Sequence, residues 1–301
     1  MEKEFNQFIE KITLTTKQKD EAKTKYTGVC KKVHDYYYDC NYDGSTKFLF
    51  GSYKLKTNIR PITKDQDVDV LIKLPQETFE KFNNYQSNGQ SALLEEVKSI
   101  LKEKYTTTDK IKSWGKVILL QFEDSTHNIE LLPAFEQDDN SFKIPNTENG
   151  GSWEVFNPRA QIDAFNESNK NSDGLTRKIC KMVKKWRNFT TSVSIKSCSI
   201  QDWAIDFLAS NKVDQLEIEE ILQKYFEFIR SKCSSDNKSY VETVLKRIEK
   251  AINYIDDGEE NEASQEFRKI FGNEFPLVED SSKTNSFDNN IFSTPRPWLE
   301  N

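Results

Sequence analysis

The chain has 301 residues, with 43 lysines and arginines against 49 aspartates and glutamates and a formal net charge of −6. That length supports one large domain or two lobes with a full core, and the negative balance argues against a surface that tracks a phosphate backbone, so no long nucleic acid is expected as a partner. No apolar run approaches the width of a bilayer, and Met1-Glu-Lys-Glu-Phe-Asn lacks the apolar core of a secretion signal, so the expectation is a cytoplasmic protein without membrane contact. The five cysteines contain no Cys-x-x-Cys and there are only two histidines, which leaves little from which to build a zinc site.

Phe5 to Tyr38 reads mainly as helix, with Val29, Val33 and Tyr36 or Tyr37 at helical spacing. Phe48, Leu49 and Phe50 make a short apolar strand closed by Gly51 and Ser52, and a second strand carries Asp67 and Asp69 among Val68, Val70, Leu71 and Ile72. Pro75 to Gly89 reads as a loop, Ser91 to Tyr105 as a helix through Leu93, Leu94, Val97, Ile100 and Leu101, and Lys116 to Phe122 and Ile129 to Leu132 as strands. The Asp, Asn, Gly and Pro residues of Phe135 to Ser152 predict another loop. Helices are predicted over Gly174 to Phe189, Ile200 to Ala209, Gln215 to Lys232 and Val241 to Ile255. Past Pro276 the chain turns to Ser, Asp, Asn and Thr, a tail either disordered or laid on the surface by Phe287, Phe292 and Trp298. The expected organisation is a mixed front lobe over residues 1–160, a helical lobe over 161–276 and a tail over 277–301, an α+β fold without internal repeats.

Gly51 permits close backbone approach and Ser52 offers a hydroxyl and an amide, so a phosphate tail fits beside them. In a strand alternate side chains leave on one face, so Asp67 and Asp69 point together while Val68 and Val70 go to the other side. Two such carboxylates repel and are costly to desolvate; a bound divalent cation is the stable solution, and magnesium suits an all-oxygen site shared with phosphates. An isolated Asp-x-Asp is most simply the solvent face of a strand. The Gly-Ser upstream and a third acid, Glu130 in Ile129-Glu-Leu-Leu-Pro-Ala134, favour the metal reading, because three acids on neighbouring strands can hold two ions.

The run from Phe48 to Leu74, with Glu130-Leu-Leu-Pro-Ala, resembles the nucleotidyltransferase superfamily that includes DNA polymerase beta. Within it the chain is most similar to the bacterial cGAS/DncV-like nucleotidyltransferases (CD-NTases), through GSYKLKTNIRP, DVDVLIKL, Trp153 with Asn157-Pro158-Arg159, Lys184-Lys185-Trp186 and Phe267 to Pro276. The resemblance implies a polymerase-beta-like fold, with a mixed-sheet catalytic lobe and a helical C-terminal lobe. It also implies synthesis of a cyclic di- or trinucleotide for anti-phage signalling. Asp67, Asp69 and Glu130 would be the catalytic residues and hold two magnesium ions, for which manganese could substitute, although Glu stands at 130 where Asp is common in relatives.

Gly51, Ser52, Lys184 and Ser197 would contact the nucleotide. The helix from Gly174 buries Ile179, Met182, Val183 and Trp186 and leaves Arg177, Lys181, Lys184 and Lys185 on its other faces, which alone reads as a solvated basic face. The resemblance instead places Lys184 on the donor triphosphate with Ser197 as its companion, although Gln201 stands where the family pattern has an acid. The implied partners are nucleoside triphosphates and a downstream effector that binds the product and not the protein, which is expected to be a monomer. Linear 2′-5′ oligonucleotide synthesis and addition to RNA ends share this residue set and stay open, as does a catalytically silent nucleotide sensor, against which the three intact acids argue. Tyr53, Arg60, Trp153 and Arg159 are read as either functional or structural, and the resemblance puts Asn166 and Asn169 near where relatives select the base.

Overall fold

The computed structural model describes residues 1–63, 66–106, 110–122 and 126–279. Two helices, α1 (Glu2–Ile12) and α2 (Thr16–Tyr37), open the chain where the periodicity suggested one mainly helical run. The interruption comes from a reciprocal cap: Gln18 N donates to Thr15 Oγ1 at 3.2 Å and Thr15 N donates to Gln18 Oε1 at 2.9 Å, so α2 starts afresh at Thr16.

Strand β1 (Lys47–Leu49) and the one-turn helix α3 (Gly51–Lys54) precede β2 (Asp67–Lys73). Helices α4 (Gln76–Asn83) and α5 (Gly89–Lys104) follow, then β3 (Ile111–Trp114), β4 (Val117–Leu120), β5 (Asn128–Glu136), β6 (Phe142–Asn146) and β7 (Ser152–Phe156). The remainder is helical: α6 (Pro158–Asn171), α7 (Leu175–Phe189), α8 (Ser197–Ser210), α9 (Ile218–Lys232), α10 (Ser235–Asp256) and α11 (Glu260–Phe271).

Two predicted loops are corrected. Residues 75–89 hold α4, whose Phe82 is buried in the core, and residues 135–152 hold the end of β5, all of β6 and the turn into β7. Turn-forming Asn, Asp and Gly at both ends of the short Phe142-Lys-Ile-Pro-Asn alternation mask it in the sequence.

The sheet runs β1-β2-β5-β4-β3, with β6 pairing the far end of β5 and β7 pairing β6. Among the described residues only β2 and β5 pair in parallel, in a register that sets Asp69 beside Glu130 and Leu71 beside Leu132. One face of this pair, Val68, Val70, Ile72, Ile129 and Leu131, is fully buried with Val29 and Val33 of α2 and Leu93, Leu94 and Val97 of α5. Each such side chain contributes about 1.5–3 kcal/mol by leaving water. On the opposite face Leu71, Leu132 and Ala134 pack with Phe142 and Ile144, so Asp67, Asp69 and Glu130 occupy the opening end of a face whose far end is apolar.

A second core unites the helices of the back half, and α1 belongs to it: Phe5 meets Phe267 at 4.9 Å and Phe8 meets Phe271 at 4.8 Å between ring centroids. Leu55 and Ile59 join the same core, which pins the segment between α3 and β2 against the helices. Val278 is held against α11, its amide donating to Ser264 Oγ at 3.1 Å. Phe287, Phe292 and Trp298, the anchors expected of the tail, lie outside the described residues. Among the described residues no helix is long and apolar enough to cross a membrane.

Candidate active site

Gly51 has φ +63°, a left-handed conformation that favours glycine, and an added Cβ would strike the Asp69 carboxylate. The close approach that the sequence suggested for a ligand is therefore made to a site carboxylate. Phe50 N donates to Asp69 O at 3.2 Å, which fastens the start of α3 to β2. Ser52 follows on the first turn, and its carbonyl accepts from Thr57 N at 3.0 Å and from Thr57 Oγ1 at 3.4 Å.

Asp67 and Asp69 are half-buried on the exposed end of their face. Loss of water raises the Asp69 carboxyl to about 7, with Glu130 and Asp67 adding to the rise and the Lys184 ammonium opposing it. Glu130 is likewise raised to about 7, by burial and then by Asp67. The three acids thus feel one another's charge. Among the described residues, however, no three His, Cys, Asp or Glu side chains form a ready-made metal cage. A cation with few protein ligands and a remainder of phosphate and water oxygens fits this donor set, and magnesium is the ion that binds so. Asp124, a further acid close in sequence, lies outside the described residues.

The facing wall comes from α7 and α8. Lys184 is 3% exposed, so it is no part of a solvated face; its ammonium donates to Thr57 Oγ1 at 2.9 Å, and Gln201 Nε2 donates to the same oxygen at 2.8 Å. Burial lowers Lys184 to about 8, with Asp69 among the groups that oppose the fall. Ser197 opens α8, and its hydroxyl accepts from Arg187 Nη1 at 3.0 Å. The reading of α7 as basic on its outer faces is corrected for its other lysines too. Lys181 is buried and donates to Thr13 Oγ1 at 2.7 Å, and buried Lys185 pairs with Glu274 at 2.6 Å.

These walls enclose a cleft of about 470 Å³ lined by Gly51, Ser52, Asp67, Asp69, Lys184 and Ser197, with Gln201 beside them. That volume suits a nucleotide-sized ligand. Glu130 is not on its lining; it reaches the site through its register with Asp69. Arg187, Thr57, Phe156 and Gln161 were not singled out from the sequence. Arg187 was findable, being three residues after Lys184 and hence on the same side of α7, whereas nothing about an ordinary threonine marks Thr57.

The undecided residues stay off the lining. Arg159 pairs with Glu136 at 2.5 Å and lies over the rings of Phe48 and Phe142. Trp153 packs on Phe79 at 5.0 Å, Arg60 donates to Glu10 O at 3.1 Å, and Asn169 accepts from the Arg177 amide at 3.0 Å near the start of α7. Tyr53 donates to Lys19 O at 3.0 Å.

Compared with known proteins, residues 1–169 match the family described as Second Messenger Oligonucleotide or Dinucleotide Synthetase domain, SMODS. A Bacillus cereus (strain VD146) protein described as a probable cyclic nucleotide synthase is 23% identical, the match covering 79% of this chain and 85% of the relative. Among solved structures, the Vibrio cholerae DncV cyclic AMP-GMP synthase with the linear intermediate 5′ pppA(3′,5′)pG superposes with a TM-score of 0.73 at 15% identity, over 92% of this chain and 99% of that one. CdnC of Escherichia coli MS115-1, solved in complex with HORMA-deltaN, gives a TM-score of 0.63 at 15% identity over 91% and 98%. At such identities the superpositions establish the fold, a mixed sheet with a helical C-terminal region.

Proposed function

The chain belongs to the Second Messenger Oligonucleotide or Dinucleotide Synthetase family and is a nucleotidyltransferase, and from that premise we propose that it joins ribonucleoside triphosphates into a cyclic di- or trinucleotide, with release of pyrophosphate, in bacterial anti-phage signalling. The observation that carries this reading is the meeting of Asp69, in register with Glu130, and the buried ammonium of Lys184 across one cleft that also takes in the Gly51–Ser52 turn.

Asp67, Asp69 and Glu130 would hold two magnesium ions, which would supply the acidity that makes an acceptor ribose hydroxyl a nucleophile and the positive charge that offsets the α-phosphate and the leaving pyrophosphate. Gly51 and Ser52 fix the donor's phosphate tail. Lys184 sets a positive charge against that tail and Ser197 offers it a hydroxyl. A linear intermediate, of the kind named in the Vibrio cholerae structure, then turns within the cleft so that its own triphosphate takes the donor position and a second attack closes the ring. The product, not the protein, binds the downstream effector.

Incubating the purified protein with all four ribonucleotides and magnesium or manganese, then digesting with phosphatase and nuclease and weighing the product, tests the proposal. A phosphatase-resistant ring of two or three nucleotides is expected. A linear oligonucleotide as the end product would replace it with the linear-synthase reading, and no product under any of these conditions would remove it.

A further inference from the structure

Helix α3 lies between two cavities, both of which Asn58 also lines. Gly51 and Ser52 line the cleft described above, while the next two residues, Tyr53 and Lys54, line a second cavity of about 440 Å³. Helix α7 is shared in the same way: Lys184 and Arg187 face the cleft, and Arg177 and Lys181, earlier on the helix, line the second cavity.

The second cavity gathers Lys19, Lys54, Lys56, Arg177 and Lys181 without one carboxylate on its lining, in a chain whose net charge is −6. Among the described residues none of the five forms an ion pair. The neighbouring acid Glu21 is engaged elsewhere, at 2.5 Å from Lys25 and 3.1 Å from His127, and Asp20 is exposed.

Lys181 is 6% exposed, yet among the described residues its ammonium bonds a neutral group, the Thr13 hydroxyl, at 2.7 Å. An ammonium has three donors, so two are left for another acceptor. Arg177 likewise meets neutral groups among the described residues, Leu55 O at 3.0 Å from its Nε and the Phe165 ring at 6.0 Å. Burial, Arg177 and Lys19 together lower Lys181 to about 8. Buried charges are ordinarily paired, and here the described residues supply no anion. Leu14, Leu49 and the half-buried Tyr53 give the same cavity an apolar wall.

We propose that this cavity is a second ligand site, separate from the nucleotide cleft, for a small polyanion: a molecule with at least two carboxylate or phosphate groups on an apolar body. The charges meet Lys54, Lys56, Arg177 and Lys181, and the body lies on Leu14, Leu49 and Tyr53. A concave volume of this size fits a small molecule better than a duplex, whose contacts would need an extended basic track. The proposal does not depend on what the cleft synthesises.

The test is calorimetric titration of the full chain, free of nucleotide and metal, with benzene-1,3,5-tricarboxylate and separately with phenyl phosphate. At least one should bind once per chain at millimolar concentration, and the better of the two identifies the anionic group. The double variant Lys54→Glu/Lys56→Glu, changed at two exposed side chains, should bind about tenfold or more weakly, a loss of about 1.4 kcal/mol or more, whereas Ser197→Ala in the cleft should bind as the parent does. Absence of binding by both compounds, an affinity indifferent to the charge reversal, or an equal loss in Ser197→Ala would overturn the site. Tight binding of a short DNA duplex that the same charge reversal abolishes would replace the small-molecule occupant with a nucleic-acid surface.

Discussion

A Cβ on Gly51 would collide with the carboxylate of Asp69. The left-handed backbone at Gly51, φ +63°, and the placement of Asp69 are therefore one constraint, since any larger residue must push either α3 off β2 or the acid out of the cleft. Gly51→Ala is expected to abolish synthesis and to lower stability by about 1–2 kcal/mol from the backbone alone, before any clash is counted. Thermal melting beside product formation checks this. A variant with parental activity would show that the contact has no part in positioning Asp69.

Asp67→Asn combined with Asp69→Asn should remove product formation and leave the metal-free protein as stable as the parent or more so, because these acids repel one another without a cation. The pH dependence follows from Asp69, held at about 7 against an ordinary 3.8, and Glu130, held at about 7 against 4.5. Below the ordinary values both folded and unfolded chains are protonated and the stability linked to these groups is fully present. As pH rises the unfolded chain gives up protons that the folded one retains, so that stability declines until the folded groups also ionise near 7. Melting in a chelator from acid to neutral pH should show this decline, shallower in the double variant, which keeps only Glu130. A steeper decline in the variant would contradict the assignment.

Glu130→Gln is expected to be inactive and Glu130→Asp to retain part of the activity, since the shorter acid is still an ionised oxygen ligand on the same face as Asp69. Single-turnover rates across a magnesium titration check both, with a higher metal requirement expected for the Asp variant. Near-normal turnover in Glu130→Gln would move the third ligand elsewhere.

Strand β2 was legible because Asp-Val-Asp-Val states its own period: the valines had to enter the core and the aspartates had to share a face. The helices from α7 to α10 were legible for the same kind of reason, their apolar residues recurring at steps of three and four. The enclosure of α7 was not. Three lysines on its outer sides read as solvent, and what buries them, Thr13, Thr57 and Glu274, arrives from distant parts of the chain. Gly51 and Ser52 could be marked as site residues from the sequence, but the neighbour that requires glycine, Asp69, is revealed only by the packing of α3 on β2. Strands β6 and β7 were lost to turn chemistry at their ends.

Lys184→Ala should raise the apparent KM for nucleotide more than it lowers kcat, if its charge holds the donor tail equally in ground and transition states. A hydrogen bond to a charged group contributes about 1.5–3 kcal/mol, roughly ten- to a hundredfold in KM. Because Lys184 titrates at about 8, the parental KM should climb as pH passes that value, and the Ala variant should lack the climb. Ser197→Ala, removing a neutral hydroxyl that also accepts from Arg187, should show a smaller defect of the same kind. Steady-state kinetics from pH 7 to about 9 separate the two, and a pH-independent parental KM would take Lys184 off the phosphates.

Activation by long nucleic acid is not expected. Two histidines, no Cys-x-x-Cys and a net charge of −6 give the chain poor means to hold duplex DNA at physiological salt, where affinity depends on several lysines and arginines displacing counterions along the backbone. The cations that do cluster, around Lys181, line a concave pocket and not a track. Synthesis should therefore proceed from nucleotides and metal alone, with any control exerted by another protein or by a small anionic ligand. Product formation measured with and without double-stranded DNA or RNA, at low and physiological salt, decides the matter: a large increase that fades as salt is raised would make the chain a nucleic-acid sensor, and the Lys54→Glu/Lys56→Glu variant would then be the first place to look for its loss.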